Sequence, residues 1–118
     1  MKLFADTGAF IALTDADDEN HKPAVAFYRN AKEKGTRFVT TNFVVCETMN
    51  YLRARISHNI AALFRENLKK SGFIEIVTVT PSIEDAAFTI FKRQGFQFYR
   101  LYELFHHELS QTEKRVCL

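Results

Sequence analysis

The feature that most constrains this chain is an acid at the end of a short apolar run. Lys2 to Ala5 reads KLFA and stops at Asp6; Thr7-Gly8 marks a turn, and Thr7 to Leu13 is apolar at helical spacing through Phe10, Ile11 and Leu13. That order reads as a buried strand with Asp6 at its carboxyl-terminal tip. A carboxyl group in such a place is costly unless it is hydrogen-bonded or bound to a cation. The chain that follows repeats the alternation. A polar break from Asp15 to Asn20 precedes a helix over His21 to Lys34, with Pro23 tolerated in its first turn and Gly35 where a helix ends. Arg37 to Thr40 is a second short strand, and Thr41 or Asn42 caps a helix over Phe43 to Arg55. Ser57 to Lys70 carries Ile60, Leu63, Phe64 and Leu68 on one stripe, Phe73 to Val79 is a third strand, and Pro81 opens a fourth long helix to about Arg93. Strands alternating with helices imply an α/β fold, a parallel sheet flanked by helices, and ligands on such sheets gather at the carboxyl ends of the strands, where Asp6 lies.

A second acid belongs in the same region. Glu47 sits among Val44, Val45, Met49 and Leu52 and forms a polar patch with Asn50 and Tyr51 at helical spacing. Alone it reads as a solvated glutamate paired with a nearby basic residue. On a helix that starts at the same sheet edge as Asp6, it makes a two-carboxylate start for a hard-cation site, since Mg²⁺ is commonly held by one or two carboxylates plus waters and substrate phosphates. Other acids have simpler explanations. Asp15, Asp17, Asp18 and Glu19 make a solvated loop, and Glu84 and Asp85 offset a helix dipole. The adjacent pair His106-His107 diverges on a helix and makes a poor metal site. Phosphotransfer enzymes that begin with a strand-tip aspartate want a second one two residues on, and here that residue is Gly8.

Composition bounds the remainder. A chain of 118 residues is one domain on length, and 47% hydrophobic residues supply a core. A net charge of +2 is compatible with a nucleic-acid partner without arguing for one; a mixed solvated surface accounts for it. Cys46 and Cys117 match no metal spacing, and Cys46, in an apolar run, is expected to be a small buried residue. With no leader-like stretch and no window of membrane-spanning length, the chain is expected to be cytoplasmic, with no membrane partner.

Three segments together carry a family resemblance: Ala5-Asp6-Thr7-Gly8-Ala9-Phe10; Thr40-Thr41-Asn42 with Glu47-Thr48; and FIEIVTVTP followed by a helix ending Ile90-Phe91-Lys92. In order and spacing this set resembles PIN domains, whose best-known bacterial and archaeal members are the VapC toxins of toxin–antitoxin pairs. The resemblance covers residues 1 to about 93 of a single PIN-like domain spanning 1–118. It implies a three-layer α/β/α sandwich and an endoribonuclease that uses Mg²⁺ or Mn²⁺ to activate water against an RNA phosphodiester. It implies Asp6 and Glu47 as catalytic and metal-holding acids, Thr7 as a helper for a water on the metal, and Asn42 as a supporting residue. The implied partners are an RNA substrate and an antitoxin-like protein or a second copy of the chain in a homodimer. A non-catalytic interaction module that keeps the partner surface and lacks activity is the alternative.

The resemblance stops at the tail, residues 94–118. Members of the family continue with a segment like Phe-Thr-Asp-Cys-x-Ser-Phe, which carries a third acid, and then a strand with a fourth acid near its tip. Here the chain reads QGFQFYRLYELFHHELSQTEKRVCL, and nothing in the family pattern supports Glu103 or Glu108 as replacements. The sheet is therefore expected to lack an element and to leave apolar surface bare on the third strand or the helix opened by Pro81. Four of the chain's Phe and Tyr residues crowd between Phe96 and Tyr102. Both the crowding and the missing acids are explained by a frameshift: permitted codons for Gln97 to Glu108, read one base later, encode Ser-Phe-Thr-Asp-Cys-Thr-Ser-Phe-Phe-Ile-Met-Asn, and a TGA stop followed by a pyrimidine supplies the later aspartate. Sequencing the coding DNA tests this. The Phe-Thr-Asp-Cys codons are expected one base out of phase, and other codons at Arg100 and Leu101 remove the explanation.

Overall fold

A computed structural model describes residues 2–94 and 113–116. In chain order the elements are β1 (Lys2–Ala5), α1 (Thr7–Thr14), α2 (His21–Glu33), β2 (Arg37–Thr41), α3 (Asn42–Arg55), α4 (His58–Lys70), β3 (Ile74–Val77), α5 (Pro81–Gln94) and β4 (Glu113–Val116). Among the described residues the sheet has four parallel strands in the order β3-β2-β1-β4. The expectation of a sheet short of an element is corrected by β4, which runs beside β1 from Lys2↔Glu113 to Ala5↔Val116. The physical reason is that a parallel ladder joins backbone groups, so an extended segment can close the open edge of β1 whatever side chains it carries.

Local chemistry explains the element boundaries. Lys34, Gly35 and Thr36 end α2 in a Schellman motif: the Gly35 N–H donates to the Lys32 carbonyl and the Thr36 N–H to the Ala31 carbonyl, with Gly35 at φ 75°. Glycine adopts that left-handed conformation without the Cβ penalty. Thr41 caps α3 by accepting from the Val44 N–H, and Ser57 caps α4 by accepting from the Ile60 N–H. The Ser57 N–H also donates to the Leu52 carbonyl, so the corner between α3 and α4 is tight.

The main core joins α1, α2, α3 and α4 to one face of the sheet through Leu3, Phe10, Phe38, Val45, Leu52 and Phe64. Phe10 and Phe64 meet edge to face, with ring centroids 5.3 Å apart. Strand alternation turns Phe4 and Val39 to the opposite face, yet they are only 3% and 0% exposed. The central strands are thus covered on both faces, as a three-layer α/β/α sandwich requires. A smaller cluster of Val79 and Ala87 with Ile83 and Ile90 anchors the start of α5. On α5 the rings of Phe88 and Phe91 are partly exposed and stacked on each other.

Candidate metal centre

The strand order turns outward in both directions from β1: β2 and β3 lie to one side and β4 to the other. Such a switch point opens a crevice beyond the carboxyl ends of the strands. Asp6 follows β1 directly into that crevice. It is 8% exposed and is the N-cap of α1. Its Oδ1 accepts from the Ala9 N–H at 3.0 Å, and its carbonyl accepts from the Phe10 N–H at 3.2 Å. The helix end thus gives the buried carboxylate a hydrogen bond and the positive end of a dipole. A carboxylate has two oxygens and about four lone-pair sites, so capping and cation binding can share the group. Thr7 is the first residue of α1 and half-buried. At Gly8, next along the helix, a Cβ would stand 3.5 Å from Asp6 Oδ1, an ordinary contact, so glycine is not sterically required there.

The end of β2 holds three neighbours in turn. The Thr40 hydroxyl donates to the Ala5 carbonyl at 2.9 Å, the Thr41 hydroxyl accepts from the Val44 N–H at 3.2 Å, and Asn42 Oδ1 accepts from the Val79 N–H at 2.7 Å. Asn42 thereby pins the chain leaving β3 to the start of α3. The readings of the sequence missed the role of Thr40. A threonine inside RFVTT carries no signal beyond strand propensity, and its bond to Ala5 depends on tertiary pairing.

Glu47 lies in the second turn of α3, about 7.5 Å of helical rise from Asn42. It is exposed, although Val45 and Thr48 beside it are buried. Among the described residues its carboxylate has no hydrogen bond or ion pair, so the basic partner that would make it an ordinary surface glutamate is missing there. Its companions in the polar patch are engaged elsewhere: Asn50 Nδ2 donates to Cys46 Sγ at 4.0 Å, and the Arg55 guanidinium lies over the Tyr51 ring. The expectation of a buried Cys46 is corrected, because the thiol is exposed. The buried stripe of α3 is Val45, Thr48 and Leu52, and the residue after Val45 is turned about 100° away from it.

The remaining acids have local roles or lie away from the crevice. Asp15 Oδ1 accepts from the Asp17 N–H and Asp18 Oδ1 from the Asn20 N–H, both at 2.9 Å, which shapes the loop before α2. Glu84, in the first turn of α5, and Asp85 after it are exposed. Glu103, Glu108 and His106-His107 lie outside the described residues. The one acid of β4, Glu113, pairs in register with Lys2 at the amino end of the strand, so the carboxyl tip of β4 ends in Val116 with no acid.

The donor types present suit a hard divalent cation. No group of three or more His, Cys, Asp or Glu gathers among the described residues, but Mg²⁺ is commonly held by one or two carboxylates, with waters and substrate phosphates completing its shell. The carboxylates of Asp6 and Glu47 are oxygen donors of that type.

The PIN domain sequence family matches residues 3–114. No curated protein matches the chain in sequence. Among solved structures the fold is similar to that of Mycobacterium tuberculosis VapC20, described as a Sarcin-Ricin loop cleaving toxin: the TM-score is 0.85 at 20% identity, over 98% of this chain and 88% of that one.

The cap separates the structural role of Asp6 from any role of its charge. Asparagine caps helices as well as aspartate does, whereas alanine gives up about 1 kcal/mol. Urea unfolding is therefore expected to leave Asp6→Asn close to the parent and to lower Asp6→Ala by about that amount. Equal stability of all three proteins would mean that the hydrogen bond to Ala9 contributes nothing.

Proposed function

This chain belongs to the PIN-domain family, and we propose on that premise that it is a metal-dependent endoribonuclease of the VapC toxin kind. The observation that carries this reading is the buried Asp6 carboxylate capping α1 at the switch point of the sheet, with the exposed carboxylate of Glu47 on α3, the helix that follows the neighbouring strand. Helices α1 and α3 pack against each other, which keeps the two acids on adjoining elements. Asp6 and Glu47 would hold Mg²⁺ or Mn²⁺. Such an ion, when bound, makes water a competent nucleophile and offsets charge on the phosphate. The chain's own groups bind and orient: Asp6 from a rigid strand end, Thr7 from the first helical position beside it, and Asn42 by fixing the segment after β3 that borders the crevice.

Among the described residues the cluster is smaller than the one the family pattern carries. With two acids there in place of three or four, the ion is held loosely and turnover is low, because positioning and charge stabilisation supply most of the rate in phosphoryl chemistry. The test is cleavage of RNA by the purified full chain with Mg²⁺ or Mn²⁺. Weak, chelator-sensitive cleavage is expected, falling about 100-fold or more in Asp6→Asn and in Glu47→Gln. Undiminished cleavage by Asp6→Asn would remove this site from the reaction.

A second observation supports the toxin–antitoxin part. An apolar groove of about 440 Å³ between α1, α2 and α4 is lined by Phe10, Leu13, Val25, Tyr28, Leu63 and Phe64. Leu63 is 50% exposed. An antitoxin-like protein would seat an apolar segment here, and this groove would serve equally in a non-catalytic interaction module. Leu63→Glu is expected to weaken co-purification with the partner at least about 10-fold while leaving RNA cleavage as it was, since burying an unpaired carboxylate in an interface is costly. Unchanged co-purification would place the partner elsewhere.

A further inference from the structure

We infer that Thr40 is a positioning residue for the Asp6 carboxylate and that Thr40-Thr41-Asn42 acts as a clasp across the carboxyl edge of the sheet, an inference that rests on the metal-site reading above. Residue pairing between β1 and β2 ends at Phe4↔Val39. One step further, the Thr40 hydroxyl donates to the Ala5 carbonyl where the ladder has stopped. Thr40 is 0% exposed, and Ala5 is buried as well, so the bond has no competing solvent. A hydroxyl in so dry a place is costly unless it makes that bond, and valine would fill the same space in a buried strand.

The peptide unit held in this way is the one joining Ala5 to Asp6. Its plane sets the direction of the Asp6 Cα, and the bond from the Phe10 N–H to the Asp6 carbonyl fixes the other side of the residue. A tilt of about 20° at that peptide moves a carboxylate oxygen by about 1 Å, more than the roughly 0.5 Å a metal or catalytic site tolerates. The next residue, Thr41, sets the start of α3, on which Glu47 stands, and Asn42 ties in the chain beyond β3. Adjacent residues of one strand therefore register both acids: Thr40 through β1, Thr41 through α3.

The test is a titration of Mn²⁺ into the full chain, followed by water-proton relaxation, with Asp6→Asn, Thr40→Val, Thr40→Ser and Leu68→Ala compared with the parent. Leu68 is buried in α4 and has no place at the sheet edge, so its variant reports lost stability alone. The expected result is that Asp6→Asn abolishes binding and Thr40→Val weakens it about 10-fold or more. Thr40→Ser, which keeps the hydroxyl, and Leu68→Ala, which melts at a lower temperature, are expected within about 3-fold of the parent. If Thr40→Val does not fold, Thr40→Ala is titrated against the same criterion. Parent-like affinity in Thr40→Val alongside lost binding in Asp6→Asn overturns the positioning role, as does a loss in Thr40→Ser equal to that in Thr40→Val. Parent-like binding by Asp6→Asn overturns the metal site itself, and the clasp loses its purpose with it.

Discussion

The structure depends on a single junction: a strand buried on both faces and paired on both edges ends in a carboxylate that must be satisfied at once. The N–H of Ala9 meets that demand, which forces α1 to begin immediately after β1. The direction of α1 then fixes where Phe10 enters the core and where α3 and α4 pack around it. A carboxylate that starts a helix in the crevice of a parallel sheet is held rigidly and lies where that sheet presents ligands. The scaffold and the candidate chemistry are therefore the same few atoms.

The second constraint comes from β2. Its last two residues, Thr40 and Thr41, are polar and buried, and with Asn42 at the start of α3 each makes a side-chain hydrogen bond to a different neighbour. This concentrates the geometric precision of the crevice in three consecutive positions. Elsewhere the edge is held by apolar packing, which tolerates small shifts; a hydroxyl bonded at 2.9 Å in a dry interior does not.

Much of the fold was legible because the periodicities are local. β1, the helices and the Gly35 terminator all follow from spacing and turn chemistry within a few residues, and Asp6 stood out because an acid directly follows an apolar run. Glu47 was legible as an acid on a helix starting at the sheet edge of Asp6, and Asn42 as one of two possible caps; the supporting role of Asn42 came only from the ordered family set. Their particular circumstances, Asn42 bonded to Val79 and Glu47 exposed without a partner among the described residues, depend on how α3 rotates against the sheet. The same rotation exposes Cys46 in spite of its apolar neighbours. Strand β4 was illegible for a different reason: EKRV has neither the alternation nor the apolar content of a buried strand, and its position comes from the open edge of β1. The role of Thr40 likewise required knowing which carbonyl would lie opposite it.

The parallel pairing of β1 with β4 has a consequence for how such a protein can change. An outer strand recruited through amide groups imposes few demands on its own side chains, so its composition can drift while the sheet keeps its width and the crevice keeps its wall. Architecture on this side of β1 is thus insulated from the residues at its rim. A chain built this way can shed a ligand from the rim and still fold around the rest, which makes gain and loss of activity here a matter of one strand end, not of the whole domain.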